Sequence, residues 1–314
     1  MISKDINSFE KVEMGGKIIN VPYPTDIPAY KFIGRERIIE KALAAWTCID
    51  GTSPLNFRLY GPPGIGKNAL VYELARILNK DLYIINGHEE LGPEDIACSA
   101  TMTSKNTIEY VASPLFAAML RGGIFFFDEI GKAPQSALDP LASVLDDRRS
   151  LTSVLAGIRL KAHPDFLCCA ALNEDEETGI GLPGFIDERT RPAIYVGYPY
   201  VSEIDEILMS RMKAIPDAWM RALLSDFKHV NLSARNTLTL LQFAYGLSIK
   251  EKGISATLSE NEIKEYLSKA YKHIKDGDED QKKEHESNLK KSSETYSAGL
   301  FAGHSAVENK ETVH

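Results

Sequence analysis

The stretch GPPGIGKNAL, residues 61–70, limits the folds open to this chain more than any other part of it. It follows NFRLY, which is short and β-prone, and runs into NALVYELARIL, whose apolar residues recur at helical spacing. Strand, glycine loop and helix form the setting in which backbone N–H groups turn toward a polyphosphate. Gly61, Pro62, Gly64, Ile65, Gly66 and Ala69 are candidate cradle residues, Lys67 reaches the β- and γ-phosphates, and the helix adds its positive end. The eighth position departs from the pattern, which asks for a Ser or Thr whose hydroxyl binds magnesium; this chain has Asn68. An amide oxygen can still ligate magnesium, so Asn68 remains a candidate metal ligand, with weakened metal positioning expected sooner than lost nucleotide binding.

Four more apolar runs read as strands: DLYIING, GGIFFFDEI, DFLCCAALN and RPAIYVGYP. Such continuous runs suit strands buried on both faces of a parallel sheet. Helical stretches between them, SPLFAAMLR and SALDPLASVLDDR among them, predict a layered α/β domain. Ligands of α/β sheets sit at the carboxyl ends of the strands, and Asp128 and Glu129 emerge at one such end. Asp128 is a candidate magnesium residue, and Glu129 a candidate to orient or deprotonate an attacking water. Asn173, ending another run, can hydrogen-bond a γ-phosphate or that water; a turn-forming Asn is the alternative.

Before the core, VPYPTDIPAY is polar and Pro-containing, and GRERIIEKALAAW follows as an amphipathic helix. From about residue 201 only helical patterns continue, and past residue 275 the chain is charged and mixed in sign, which predicts a flexible tail. Of the 314 residues 44% are hydrophobic, enough for a substantial core, and the net charge of -8 gives no general attraction to nucleic acid or anionic lipid. The N-terminus has no apolar run of signal-peptide length and no segment is apolar over membrane-helix length, so a cytoplasmic protein without membrane insertion is expected. Cys48, Cys98, Cys168 and Cys169 lack metal-ligand spacing, and a reduced compartment fits them.

In the order GPPGIGKN, GIFFFDEIGKAPQSALDPLASVLDD, DFLCCAALNEDEETGIGLPGFIDERTRP and LSARNTLTLLQFA, the chain resembles the AAA+ ATPases, and within them the MoxR-like branch. The resemblance covers roughly residues 30–250 and implies an AAA+ P-loop NTPase core, a parallel sheet flanked by helices, followed by a small all-helical lid. It divides the chain into a lead-in (1–29), an AAA+ nucleotide-binding domain (30–200), a helical lid (201–275) and the tail (276–314). Two inserts carry the branch: GPEDIACSATMTSKNTIEYVASPLF, similar to a helix-2 hairpin, and SLTSVLAGIRLKAHPDF, similar to the hairpin before sensor 1, turning near Ala156 and Gly157. In such relatives these hairpins face the central pore or the substrate.

The resemblance further implies that Arg189 enters a neighbouring subunit's site as an arginine finger, with Arg191 as the alternative, and that Arg235 acts as sensor 2. Ile33 and Gly34, in FIGRE, match the stretch lying against adenine. One departure is Gly131 and Lys132, where the family usually has an Asn–Arg or similar polar pair. ATP and Mg²⁺ are the implied ligands. The expected function is a homo-oligomeric ring, hexameric by resemblance, hydrolysing ATP slowly because of Asn68 and remodelling or assembling a protein client. A partner with a von Willebrand factor A domain goes with that branch. A nucleotide-dependent scaffold with little hydrolysis and an AAA+ nucleic-acid motor are the alternatives, the motor disfavoured by the acidic charge.

Overall fold

The computed structural model describes residues 9–102, 106, 108–173, 182–227, 233–254 and 256–276. Five strands, β1 (Phe57–Gly61), β2 (Leu82–Asn86), β3 (Ile124–Asp128), β4 (Leu167–Asn173) and β5 (Ala193–Tyr195), form one parallel sheet in the order β5-β1-β4-β3-β2. Each lies inside a run that the sequence singles out. The side chains of β2, β3 and β4 alternate between two buried layers. Ile124 and Phe126 of β3 join Leu167, Cys169 and Ala171 of β4 and Phe57 and Leu59 of β1 on one face. Phe125 and Phe127 join Cys168 and Ala170 on the other. With both faces covered, β3 is fixed in the core through four consecutive apolar residues, and only Asp128 is left at its edge.

Helices Glu36–Ala45 and Lys67–Leu78 cover the first face, placing Ala42, Leu70, Val71 and Leu74 against it. The second face takes helix Pro114–Arg121, whose Ser113 caps it by accepting from the Phe116 N–H, and two short helices, Gln135–Leu138 and Leu141–Val144. The sequence suggests one helix across these two short pieces. Pro140 stands between them, and a proline has no N–H to continue the ladder.

A second sheet is built from Glu10–Met14, Lys17–Val21, Ile108–Ala112 and Cys98–Met102, in that order. Cys98–Met102 and Ile108–Ala112 pair antiparallel within the first of the two inserts that the sequence singles out. The other two belong to a region that reads in sequence only as a lead-in. Their turn is Gly15-Gly16, with φ of 59° and 72°, the left-handed values that a tight hairpin requires and glycine adopts freely. Lys17–Val21 then pairs parallel with Ile108–Ala112, which buries Ile19 and Val21 completely. In the second insert a hairpin forms from Ser150–Ser153 and Ile158–Lys161, turning through residues 154–157, and Lys17 Nζ donates to the Ala156 carbonyl at 2.5 Å.

The chain divides into two units, Met1–Ala214 with Phe227–Leu238 and Ile215–Asp226 with Thr239–His314. Helix Val201–Arg211 and the first residues of helix Ala234–Lys252 thus belong with the sheet. The second unit is helical: Trp219, from helix Asp217–Phe227, lies 5.3 Å from the Tyr245 ring and 6.2 Å from the Tyr266 ring of helix Glu260–Asp276. Beyond Asp276 the expected tail lies outside the described residues. Among the described residues no helix is long and apolar enough to cross a membrane.

Candidate active site

Strand order decides what meets what. β4 lies between β1 and β3, with Asn173 opposite Gly61 and Ala170 opposite Phe127. The carboxyl ends of β1, β4 and β3 therefore stand side by side, carrying the phosphate loop, Asn173 and the Asp128–Glu129 pair. Residues about sixty and a hundred positions apart are brought to one edge by sheet topology alone.

Lys67, the first residue of its helix, is only 6% exposed, and a buried ammonium needs acceptors. It donates to the Gly61 carbonyl at 2.7 Å, the Pro62 carbonyl at 2.9 Å and Asn173 Oδ1 at 2.7 Å. Gly64, at φ 74°, lies against a distant segment. A Cβ there would lie 2.8 Å from Ser233 Oγ and 3.3 Å from the Arg235 Cβ, and the Arg235 N–H donates to the Gly64 carbonyl at 3.2 Å. Arg235 thus stands beside the loop.

Asn173 continues the network by donating Nδ2 to Glu129 Oε1 at 3.1 Å, while Lys132 Nζ donates to Glu129 Oε2 at 2.7 Å. Both oxygens of Glu129 are engaged. Glu129, Lys132 and Asn173 also line a cavity of about 760 Å³ together with His88, Gln135 and Leu172. Asp128 accepts from Asn68 Nδ2 at 2.5 Å and from the Glu129 N–H at 3.0 Å. Burial raises the Asp128 carboxyl above its ordinary pKa; the Asn68 hydrogen bond opposes the rise, and the Glu129 charge adds to it.

Ile33 and Gly34 lie just before helix Glu36–Ala45, next to Arg35, which sequence reasoning passed over. The Arg35 guanidinium donates to the Ile65 carbonyl of the phosphate loop at 2.7 Å, and its N–H donates to Glu203 Oε1 at 3.0 Å. Burial lowers its pKa, opposed by the Glu203 charge. No sequence signal links these groups, because Glu203 is 168 residues away. Arg189 lies apart from the cluster, donating to the Phe185 carbonyl of its own helix at 3.0 Å. Arg191 pairs with Asp187 at 2.6 Å, and Asp187 also receives Arg58 at 2.5 Å. Neither arginine reaches the Lys67 cluster in its own chain. The acidic segment 174–181 between Asn173 and this helix lies outside the described residues.

Residues 56–181 match the AAA domain of the dynein-related subfamily. In sequence the chain is similar to an uncharacterized protein of Staphylococcus epidermidis, 34% identical over 123 residues that make up 38% of this chain and 47% of that one. It is likewise similar to the uncharacterized protein YojN of Bacillus subtilis, 29% identical over 161 residues, 50% of this chain and 52% of that one. The chain spans about half the length of the curated relatives it matches. In structure it is similar to two mutant forms of RuvB from Thermotoga maritima. One has a TM-score of 0.51 at 20% identity, covering 76% of this chain and 70% of that chain; the other has 0.52 at 17%, covering 75% and 69%. At such identity the likeness is one of fold alone.

Proposed function

We propose that this chain, an AAA+ P-loop NTPase by its fold and by the AAA domain at residues 56–181, binds ATP at the Lys67 edge of the sheet and hydrolyses it slowly. The observation that carries this reading is the unbroken hydrogen-bonded series Lys67, Asn173, Glu129 at one sheet edge, with Asp128 alongside. A phosphate-binding lysine, a γ-phosphate amide and a candidate base touch one another before any ligand is considered. A mere glycine turn would not bury a lysine against them.

The residues divide the work by chemistry. The loop N–H groups and Lys67 take the phosphates, with Lys67 exchanging its carbonyl acceptors for phosphate oxygens. Asn173 presents an amide to the γ-phosphate or the attacking water, and Glu129 orients or deprotonates that water. Arg235 reports on the γ-phosphate, Ile33 and Gly34 border the base, and Arg189 completes a neighbour's site. That last role requires a ring, and a hexameric MoxR-like ring acting on a protein client, with a von Willebrand factor A domain partner, is the assembly we propose. Two departures, Asn68 in the loop and Gly131 with Lys132 after Glu129, set this site apart from the family pattern.

Steady-state hydrolysis by the purified full chain tests the reading. Lys67→Ala should abolish nucleotide binding, and Glu129→Gln should keep binding while lowering turnover by about 10²-fold or more. Turnover unchanged in Glu129→Gln would defeat the enzymatic reading and leave the scaffold.

A further inference from the structure

Asn68 stands where a phosphate loop carries its magnesium-binding hydroxyl, and the structure shows what the amide does instead. Its NH₂ group donates to Asp128 Oδ2 at 2.5 Å. A carboxylate only accepts, so the donor end of the amide must face it. Residue 68 is therefore engaged by protein through its donor end.

These two side chains do not fit a magnesium ion held between them. Such an ion needs oxygen ligands at about 2.0–2.1 Å in near-octahedral array, whereas the amide presents hydrogens to the carboxylate at direct hydrogen-bond distance. Turning the amide to offer its oxygen would cost half-buried Asp128 a donor. Among the described residues no group of three His, Cys, Asp or Glu side chains stands ready to replace the pair. The exchange leaves Lys67 in place at the loop, where it donates to the Gly61 carbonyl and to Asn173 Oδ1.

We infer that Asn68 and Asp128 form a protein-internal pair in place of a shared magnesium site, so that this chain grips the nucleoside triphosphate through Lys67, the loop backbone and the polar side chains at that edge without a bridging metal ion, with an affinity indifferent to divalent cation. The inference rests on the ATP-site reading above and sharpens it. A hydroxyl at position 68 would release the Asp128 carboxylate and restore metal dependence to binding.

The test is equilibrium binding of a fluorescent ATP analogue to the full chain in excess Mg²⁺ and in excess EDTA, for the natural chain, Asn68→Ser and Asn68→Ala. The natural chain should show Kd values within about threefold of each other, and Asn68→Ser should bind about tenfold or more tightly with Mg²⁺ than without. Asn68→Ala, which removes the amide without supplying a hydroxyl, should remain indifferent to the ion. A fall of about tenfold or more in the affinity of the natural chain on chelation overturns the inference while leaving the ATP site standing. So does a metal effect in Asn68→Ser no larger than that of the natural chain. No binding by the natural chain in either buffer overturns the ATP site itself, and this inference with it.

Discussion

Burial raises the pKa of Asp128, and the neighbouring Glu129 charge adds to the rise against the opposing Asn68 hydrogen bond, so folding favours the protonated form of this carboxyl. The stability it contributes is present below the unfolded carboxyl's pKa and is lost as pH rises through the higher folded value. Asp128→Asn removes that loss: the Asn68 amide can turn over to accept from the new NH₂. Thermal melts should give the variant a higher Tm than the natural chain at about pH 7, with the gap closing toward about pH 4. A lower Tm at neutral pH would show that the carboxylate stabilises the fold. Glu129 is restrained differently, by an ion pair with Lys132 that is half-exposed. Exposed pairs are worth about 0.2–1 kcal/mol, and if that contact must break for Glu129 to meet water, Lys132→Met raises kcat by up to about fivefold with little change in KM. A drop in kcat would instead make Lys132 part of the catalytic arrangement.

At the scale of elements, the N-terminal hairpin is structural where the sequence suggests only a lead-in. Ile19 and Val21 are fully buried in the layer that also holds Phe125 and Phe127. Burying an aliphatic side chain contributes about 1.5–3 kcal/mol, so removing residues 1–21 should lower unfolding stability by about 3 kcal/mol or more, read from denaturant midpoints. A truncated chain as stable as the parent would mean that the hairpin is only draped on the core. What made β2, β3 and β4 legible was burial on both faces: a strand such as IFFFD needs no partner to be recognised. The hairpin strand EKVEM is short and mostly exposed, and the sheet it joins is completed by a strand almost ninety residues later, as the Asn20–Glu109 hydrogen bond at 3.2 Å records. The site divides in the same way. The phosphate loop is contiguous and could be read directly, and Asp128, Glu129 and Asn173 mark themselves by ending apolar strands. Arg35 could not be found, because its meaning lies in the Ile65 carbonyl and the Glu203 carboxylate, which only the fold brings to it.

For the whole molecule, the chemistry that one chain assembles is unfinished. Lys67, Asn173, Glu129 and Asp128 converge, and Arg235 stands beside the phosphate loop, but Arg189 is bonded to its own helix and Arg191 to Asp187, both away from the cluster. Phosphoryl transfer without a cation facing the developing charge forgoes a factor of about 10³–10⁵. If a neighbouring copy supplies that cation through Arg189, two defects in different chains must complement. Lys67→Ala lacks a nucleotide site but keeps its finger, whereas Arg189→Ala keeps the site and lacks the finger; each alone should hydrolyse ATP at about 10⁻³ of the natural rate or less. Mixed in equal amounts, they should recover a measurable fraction, since some interfaces then pair an intact site with an intact finger. Recovery should rise with total protein concentration, because it depends on assembly. A mixture that stays silent even after the two chains are refolded together would show that Arg189 does not act across subunits. Full turnover by Arg189→Ala alone would remove this residue from the mechanism.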